Sequence, residues 1–327
     1  MIKLGLNILG IGISKPNFIV KSKDLDNKLG LEDGKIEKTT GLKQRYFIDT
    51  ETPDDLLKRA IDDLLIKTKI DINEIDCIIN ASATMSQSIP YNAANTHRLL
   101  NLDKPIPSFD INMTCLSFLR SLDISSNLFN SYNKILIVTC DIPSIGLDWK
   151  NIRTSGIFGD GATATIVEKS ESGGVLTSNF ETHSIGFDYC EIKGGGYKLP
   201  PSKYEGDYKE VSNFEMDGKK LYKLSSKVLP LFIKNSLNKI DLTISDIDWI
   251  VPHQASQSSL NHIIKMLDLD KNKVIDIFNR NGNQVASSIP TVLEELIYKK
   301  PIKSGDKVLI VGTSAGIGLG LMIWEIP

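Results

Sequence analysis

The chain has 327 residues, 41% of them hydrophobic and 24% charged, with a formal net charge of -2. This is the composition of a soluble globular protein, beyond the length at which single cores stop growing, so two domains or halves are expected. The near-neutral balance argues against a nucleic-acid binder, and no uninterrupted apolar run reaches the length of a membrane span.

In chain order, the opening MIKLGLNILGIGI alternates apolar residues with Gly and Asn. It has neither a basic start nor a small-residue cleavage site, and reads as a first strand rather than a signal peptide. Strand-length apolar runs then alternate with helical stretches: DCIINAS, IPSFDI, KILIVTC and ATATIVE, followed by DWIVPHQ, KVIDIF, KVLIVGT and LGLMIWEI. Such alternation predicts an α/β architecture with largely parallel pairing. The second set matches the first. INEIDCIINASATMSQS resembles ISDIDWIVPHQASQSS, and NKILIVTCDIPSIG resembles GDKVLIVGTSAGIG, at an offset of about 172 residues (Asp76 to Asp248, Lys134 to Lys307). Agreement of order and spacing implies a duplicated α/β unit. The break is expected in KSESGGVLTS, which gives halves of residues 1–170 and 171–327. The polar stretch KGGGYKLPPSKYEGDYKE reads as a surface loop, a lid or partner contact. Cys77 and Cys140 sit in apolar runs and read as core thiols, while Cys190 lies near a loop. With no CxxC pair and no metal-ligand spacing, the cysteines fit a reduced, cytoplasmic setting without a metal.

Four motifs bear chemistry. In DINMTCLSFLRSL, Leu116, Leu119 and Leu122 lie at helical spacing behind Cys115. That puts the sulfur at a helix N-terminus, where the dipole favours thiolate and a backbone N–H can bind an oxyanion. In VPHQASQSS, His253 follows a strand directly, at the sheet edge where ligands bind in α/β folds. In NRNGNQVASSIP, Asn281, Gly282 and Asn283 form a turn before a helix; taken alone, such asparagines usually serve the backbone. VLIVGTSAGIGLG follows a strand with glycines but leads into another strand, so a dinucleotide cradle is a poor reading.

A cysteine at a helix start, a PHQA histidine, a GNxxAxSIP asparagine and a C-terminal Gly-rich strand pair, in this order, resemble β-ketoacyl-acyl-carrier-protein synthase III. TTGLKQRYF resembles that family's early TGIxxR segment and FGDGATAT its FGDGA turn. The resemblance covers essentially the whole chain. It implies a thiolase-like fold, two similar α/β halves packed as an α-β-α-β-α sandwich. It also implies a homodimeric condensing enzyme that binds no permanent cofactor, takes acyl-CoA or acyl-carrier protein as substrate, and partners acyl carrier protein.

Carried over by motif, the resemblance makes Cys115 the acyl-accepting nucleophile and His253 and Asn283 its catalytic partners. The oxyanion hole is then the backbone N–H of Cys115 with the Ala315–Gly316 turn. His253 and Asn283 donate to the enolate of a decarboxylating malonyl thioester, so replacing either is expected to harm condensation more than self-acylation. The departures concern the donor. Lys35 and Thr39 stand where the family has an aromatic residue and an arginine clamping coenzyme A, and Ser256 and Ser258 replace an Asn and an Arg after the histidine. Arg153 is left as one clamp residue. These changes favour a carrier-bound donor or an atypical CoA pose. Lys223 and Lys265 match positions that help dock the acidic carrier, and Ile89 matches a bulky residue that reaches into the partner's acyl tunnel. Three other readings remain open: transfer of the Cys115-bound acyl group to an alcohol or amine, a non-catalytic subunit, and a cysteine hydrolase.

Overall fold

The computed structural model describes residues 4–327, so the first three residues of the expected opening strand lie outside it. The first sheet holds β1 (Asn7–Ser14), β2 (Cys77–Asn80), β3 (Ser108–Asp110), β4 (Lys134–Asp141) and β5 (Gly161–Glu168), in the order β1–β5–β4–β2–β3. The second holds β6 (Gly174–Thr182), β7 (Trp249–Pro252), β8 (Lys307–Ser314) and β9 (Gly318–Glu325), in the order β7–β8–β9–β6.

The second sheet repeats β1–β5–β4–β2 of the first. Each four-strand set has one parallel pair (β2 with β4, β7 with β8) and two antiparallel ones, and β3 adds a second parallel pair, with β2, in the first sheet. The repeat extends to single bonds. Asp76 N donates to Lys134 O at 3.0 Å, and Asp248 N to Lys307 O at 3.0 Å. The same aspartates accept from Lys134 N and Lys307 N through their carboxylates. Pairing is thus mixed rather than largely parallel. A three-residue turn joins β8 to β9 and allows only an antiparallel return, because parallel strands need a long crossover. Two further corrections concern strands. The presumed crossing KSESGGVLTS already contains the start of β6, the counterpart of β1. KVIDIF makes one isolated bridge, Ile250 with Val274, and no strand. The Gln254 amide takes its polar groups instead, donating to Ile275 O and accepting from Ile277 N.

Six helices complete the layers. Helices α1 (Pro53–Thr68) and α2 (Asn92–Leu100) cover the outer face of the first sheet. Helix α3 (Ser117–Leu128) packs on β4, β6 and β9, and α6 (Ser288–Lys299) on β1, β5 and β7, so both lie between the sheets. Helices α4 (Gly218–Asn238) and α5 (Gln257–Met266) flank the second sheet through the cluster of Leu229, Phe232, Ile233 and Ile263. Local signals explain the ends. Thr52 and Asp55 form a capping box, Pro53 occupies the first turn of α1, and Lys69 closes it in a left-handed conformation. Helix α6 buries eight of its twelve residues, as a middle-layer helix must. Its one buried carboxylate, Glu294, is paired with Lys67 of α1 at 2.9 Å. The long polar loop is mostly exposed and is gathered by Tyr208, whose hydroxyl accepts from Gly195 N and donates to Leu199 O. Among the described residues no helix is long and apolar enough to cross a membrane.

Candidate active site

Cys115 sits in a tight 3-10 turn, Thr114–Leu116, between β3 and α3. Short side chains make the turn. Asn112 Oδ1 accepts from Thr114 N at 2.9 Å, and Ser117 Oγ accepts from Met113 N and donates to Thr114 O. Thr114 has φ 48, a left-handed conformation uncommon for a β-branched residue, which marks strain immediately before the sulfur. The next residue anchors the turn: Leu116 is fully buried, over a pair of facing glycines, Gly312 of β8 and Gly320 of β9. A Cβ on Gly312 would lie 3.1 Å from Leu116 Cδ2, and one on Gly320 3.1 Å from Leu116 Cδ1.

His253 leaves the end of β7 with its N–H bonded to Val311 O at 2.8 Å. It is buried, and among the described residues Nδ1 has no hydrogen-bond partner. Gly312 separates it from Leu116, since a Cβ there would also stand 2.7 Å from His253 Cβ. Asn283 is held by the FGDGA segment: its N–H donates to Ile157 O and its carbonyl accepts from Gly159 N. Its Oδ1 accepts from Val285 N at 2.9 Å, which fixes the amide orientation. The Nδ2 group then has only a long contact, 3.4 Å, to Ala255 O, and is the donor available to a ligand.

Cys115, His253 and Asn283 line one cavity of about 1490 Å³, together with Ala315. Gly316, the next residue of the β8–β9 turn, lies outside that lining and has φ +126, which only glycine adopts freely. Arg153, Lys38, Thr39 and Lys219 stand at the cavity's rim; Lys35 is not among its lining residues. Ser256 also lines it, but its hydroxyl caps α5 by accepting from Ser259 N. Lys223 and Lys265 are exposed on α4 and α5 outside the lining, and Ile89 is 87% exposed away from it.

Burial reverses the electrostatics expected at Cys115. Desolvation first, then the charges of Asp141 and Cys190, push its thiol up to about 12, against the weaker pull of the local N–H. Cys115 therefore rests as a thiol. Iodoacetamide reaction at Cys115 is expected to keep rising with pH through 9; a plateau below pH 7 would reveal a resident thiolate and overturn this.

Desolvation alone lowers His253 from 6.5 to about 4, so the imidazole is neutral near pH 7. Because the folded value lies below the unfolded one, the linked stability is present above about 6.5 and is lost as pH falls towards 4. Between pH 7 and 4 the protein is expected to lose on the order of 3 kcal/mol more than His253→Gln. Parallel stability curves for the two, measured by urea unfolding, would count against a buried neutral ring.

Several groups here carry no sequence signal of their own. Asp141 ends β4, fully buried, and accepts from Ala83 N, Thr84 N, Ser287 N and Ser287 Oγ. It ties the Asn283 loop to the cavity wall, and burial raises it to about 6. Cys190 proves to line the cavity as well. Gly312 and Gly320 were discoverable in principle, because a glycine inside a strand often marks a close approach.

A family model described as 3-oxoacyl-[acyl-carrier-protein (ACP)] synthase III matches residues 109–184, and its C-terminal counterpart matches residues 237–326. The chain is 31% identical over 319 residues to the beta-ketoacyl-[acyl-carrier-protein] synthase III of Rickettsia rickettsii, covering 96% of this chain and 97% of that protein. It is 30% identical over 324 residues to the enzyme of the same name from Rickettsia bellii, covering 97% and 99%. The crystal structure of 3-oxoacyl-[acyl-carrier-protein] synthase III from Aquifex aeolicus superposes with a TM-score of 0.87 at 25% identity, over 98% of this chain and 100% of that one. The thiolase-like duplicated fold and the whole-length likeness agree: the chain belongs to the 3-oxoacyl-[acyl-carrier-protein] synthase III family and is a condensing enzyme of the acyltransferase class.

Proposed function

We propose that Cys115 accepts an acyl group from a thioester donor and passes it to malonyl-carrier protein by decarboxylative Claisen condensation. The observation that carries this reading is the convergence of Cys115, His253 and Asn283 on one cavity, with the Asn283 amide turned to donate. The halves divide the work: residues 1–170 supply the nucleophile and residues 171–327 the histidine and asparagine.

In the first half-reaction the Cys115 thiol adds to the thioester carbonyl. Its proton passes through neutral His253 to the departing carrier thiol, as the C–S bond to the carrier breaks and that to Cys115 forms. The backbone N–H of Cys115 and the Ala315–Gly316 turn hold the oxyanion. In the second, the malonyl thioester loses carbon dioxide and its electron pair becomes an enolate, whose oxygen accepts from His253 and Asn283. The enolate carbon attacks the Cys115 thioester, the C–S bond to Cys115 breaks, and the released thiolate takes a proton from solvent water. No permanently bound cofactor is needed.

Lys35 and Thr39, in place of a CoA clamp, support a donor held on acyl carrier protein. Lys223 and Lys265 offer exposed positive charge for that acidic partner, with Arg153 and Ser256 nearer the bound arm. Exposed Ile89, beside exposed Met85 and Tyr91, supports a homodimer in which this segment meets a second copy. The setting is cytoplasmic.

Intact mass spectrometry after incubation with acyl-CoAs or acyl-carrier proteins, and then malonyl-carrier protein, tests the reading. A Cys115 adduct discharged with carbon dioxide release is expected. An adduct discharged only by an alcohol or amine, or no adduct with any donor, would overturn it.

A further inference from the structure

Tyr222 of α4 and His262 of α5 meet in the wall of the cavity that leads to Cys115. The Tyr222 hydroxyl lies 2.7 Å from His262 Nδ1, and the two rings stand 4.7 Å apart at 55°. His262 Nε2, on the other side of the ring, is buried and has no hydrogen-bond partner among the described residues.

That orphaned nitrogen selects the tautomer of a neutral ring. If Tyr222 donated to Nδ1, the ring proton would sit on Nε2 as a buried donor with nothing to bind. If Nδ1–H donates to the Tyr222 oxygen, Nε2 retains only a lone pair. Nε2 is unpaired either way, and an orphaned buried N–H is the rarer of the two states. His262 is therefore the donor, and the Tyr222 O–H proton is free for another partner. Tyr222 is 48% exposed in the cavity wall, so that proton is open to a ligand in the cavity.

Depth along the cavity narrows the ligand. Lys219, one helical turn before Tyr222, is exposed at the rim with Arg153, where a phosphate would be met. Cys115, with the buried His253 and Asn283, marks the reacting end. Between a phosphate and a thioester, a phosphopantetheine-type arm carries neutral amides whose carbonyls are acceptors. We propose that Tyr222, oriented by His262, is a positioning residue that donates a hydrogen bond to an amide carbonyl of this arm. The proposal rests on the reading that Cys115 is loaded from carrier thioesters.

The test compares Cys115 acylation by an acyl group on acyl carrier protein with acylation by the S-ethyl thioester of the same acid, which has no arm. In Tyr222→Phe the ratio of kcat/KM for the carrier-bound donor to that for the ethyl thioester is expected to fall about 3- to 10-fold, the size of one neutral hydrogen bond. The loss should lie in KM rather than kcat. His262→Ala should give part of the same loss, and His262→Gln, whose amide N–H still donates to the hydroxyl, should recover it. An unchanged ratio in Tyr222→Phe, with the parent protein acylated by both donors, refutes the assignment alone. A parent protein acylated by neither donor refutes the reading of Cys115 instead. Reaction with the ethyl thioester also reports that each variant has folded.

Discussion

Asn283→Ala is expected to slow decarboxylative condensation about 100- to 1000-fold while changing Cys115 acylation by less than about threefold. The asymmetry follows from how the side chain is held. Val285 N occupies its amide oxygen, and its backbone is pinned on both sides by Ile157 O and Gly159 N, so the Nδ2 donor is preorganised. A preorganised donor matters most where negative charge develops in a water-poor site, and in this reaction that is the malonyl enolate rather than the acylation oxyanion. His253→Ala separates from it. The Cys115 thiol is pushed up to about 12 and must lose its proton during attack, so loss of the neutral imidazole is expected to slow both half-reactions. Single-turnover acylation, followed by rapid mixing of the acylated protein with malonyl-carrier protein, measures the two steps apart. Equal loss of both steps in Asn283→Ala would sink this division of labour.

Gly312→Ala is expected to reduce the rate of Cys115 acylation about 100-fold, as a displacement near 1 Å at a reacting atom does. It should lower stability by about 1–3 kcal/mol, the usual cost of overpacking. A single added methyl group would stand 2.7 Å from His253 Cβ and 3.1 Å from Leu116 Cδ2, so it pushes the histidine and the anchor of the Cys115 turn at once. Leu116 is fully buried and has no room to retreat, and His253 can yield only into the cavity it lines, which displaces it from its place in the site. Gly320→Ala offers a comparison. Its added carbon would meet Phe180 and Leu116 first, whereas the one on Gly312 would meet His253 first, so acylation should suffer with less displacement of the histidine. Acylation rates set beside urea unfolding curves decide the matter. An acylation rate in Gly312→Ala equal to that of the parent would mean that the strand gives way and the glycine has no role in the site.

Much of this protein could be read from the chain itself because the information is local. Periodicity marked the helix behind Cys115, since Leu116, Leu119 and Leu122 must share one buried face. Internal repetition marked the duplicated halves, since Asp76 and Asp248 make the same bonds to the same strand in each. Ordered motifs marked the nucleophile, histidine and asparagine, because chemistry restricts residue type. Other features depend on what approaches through space. The strand β6 was hidden because its start, GGVLTS, has the composition of a turn, and only its pairing with β9 makes it a strand. KVIDIF has strand composition but lies where the Gln254 amide takes its backbone groups. The thiol at a helix start was expected to be acidic from local geometry, yet desolvation by the packed halves outweighs the dipole.

By itself the sequence determined the duplicated α/β frame, the family and the three residues that line one cavity, Cys115, His253 and Asn283. Tertiary structure alone decided the burial that sets the protonation of Cys115 and His253, the glycine slot between Leu116 and His253, and the Tyr222–His262 pair. Burial, tautomer and close approach are set by neighbours tens to hundreds of residues away in the chain, and no local pattern encodes them.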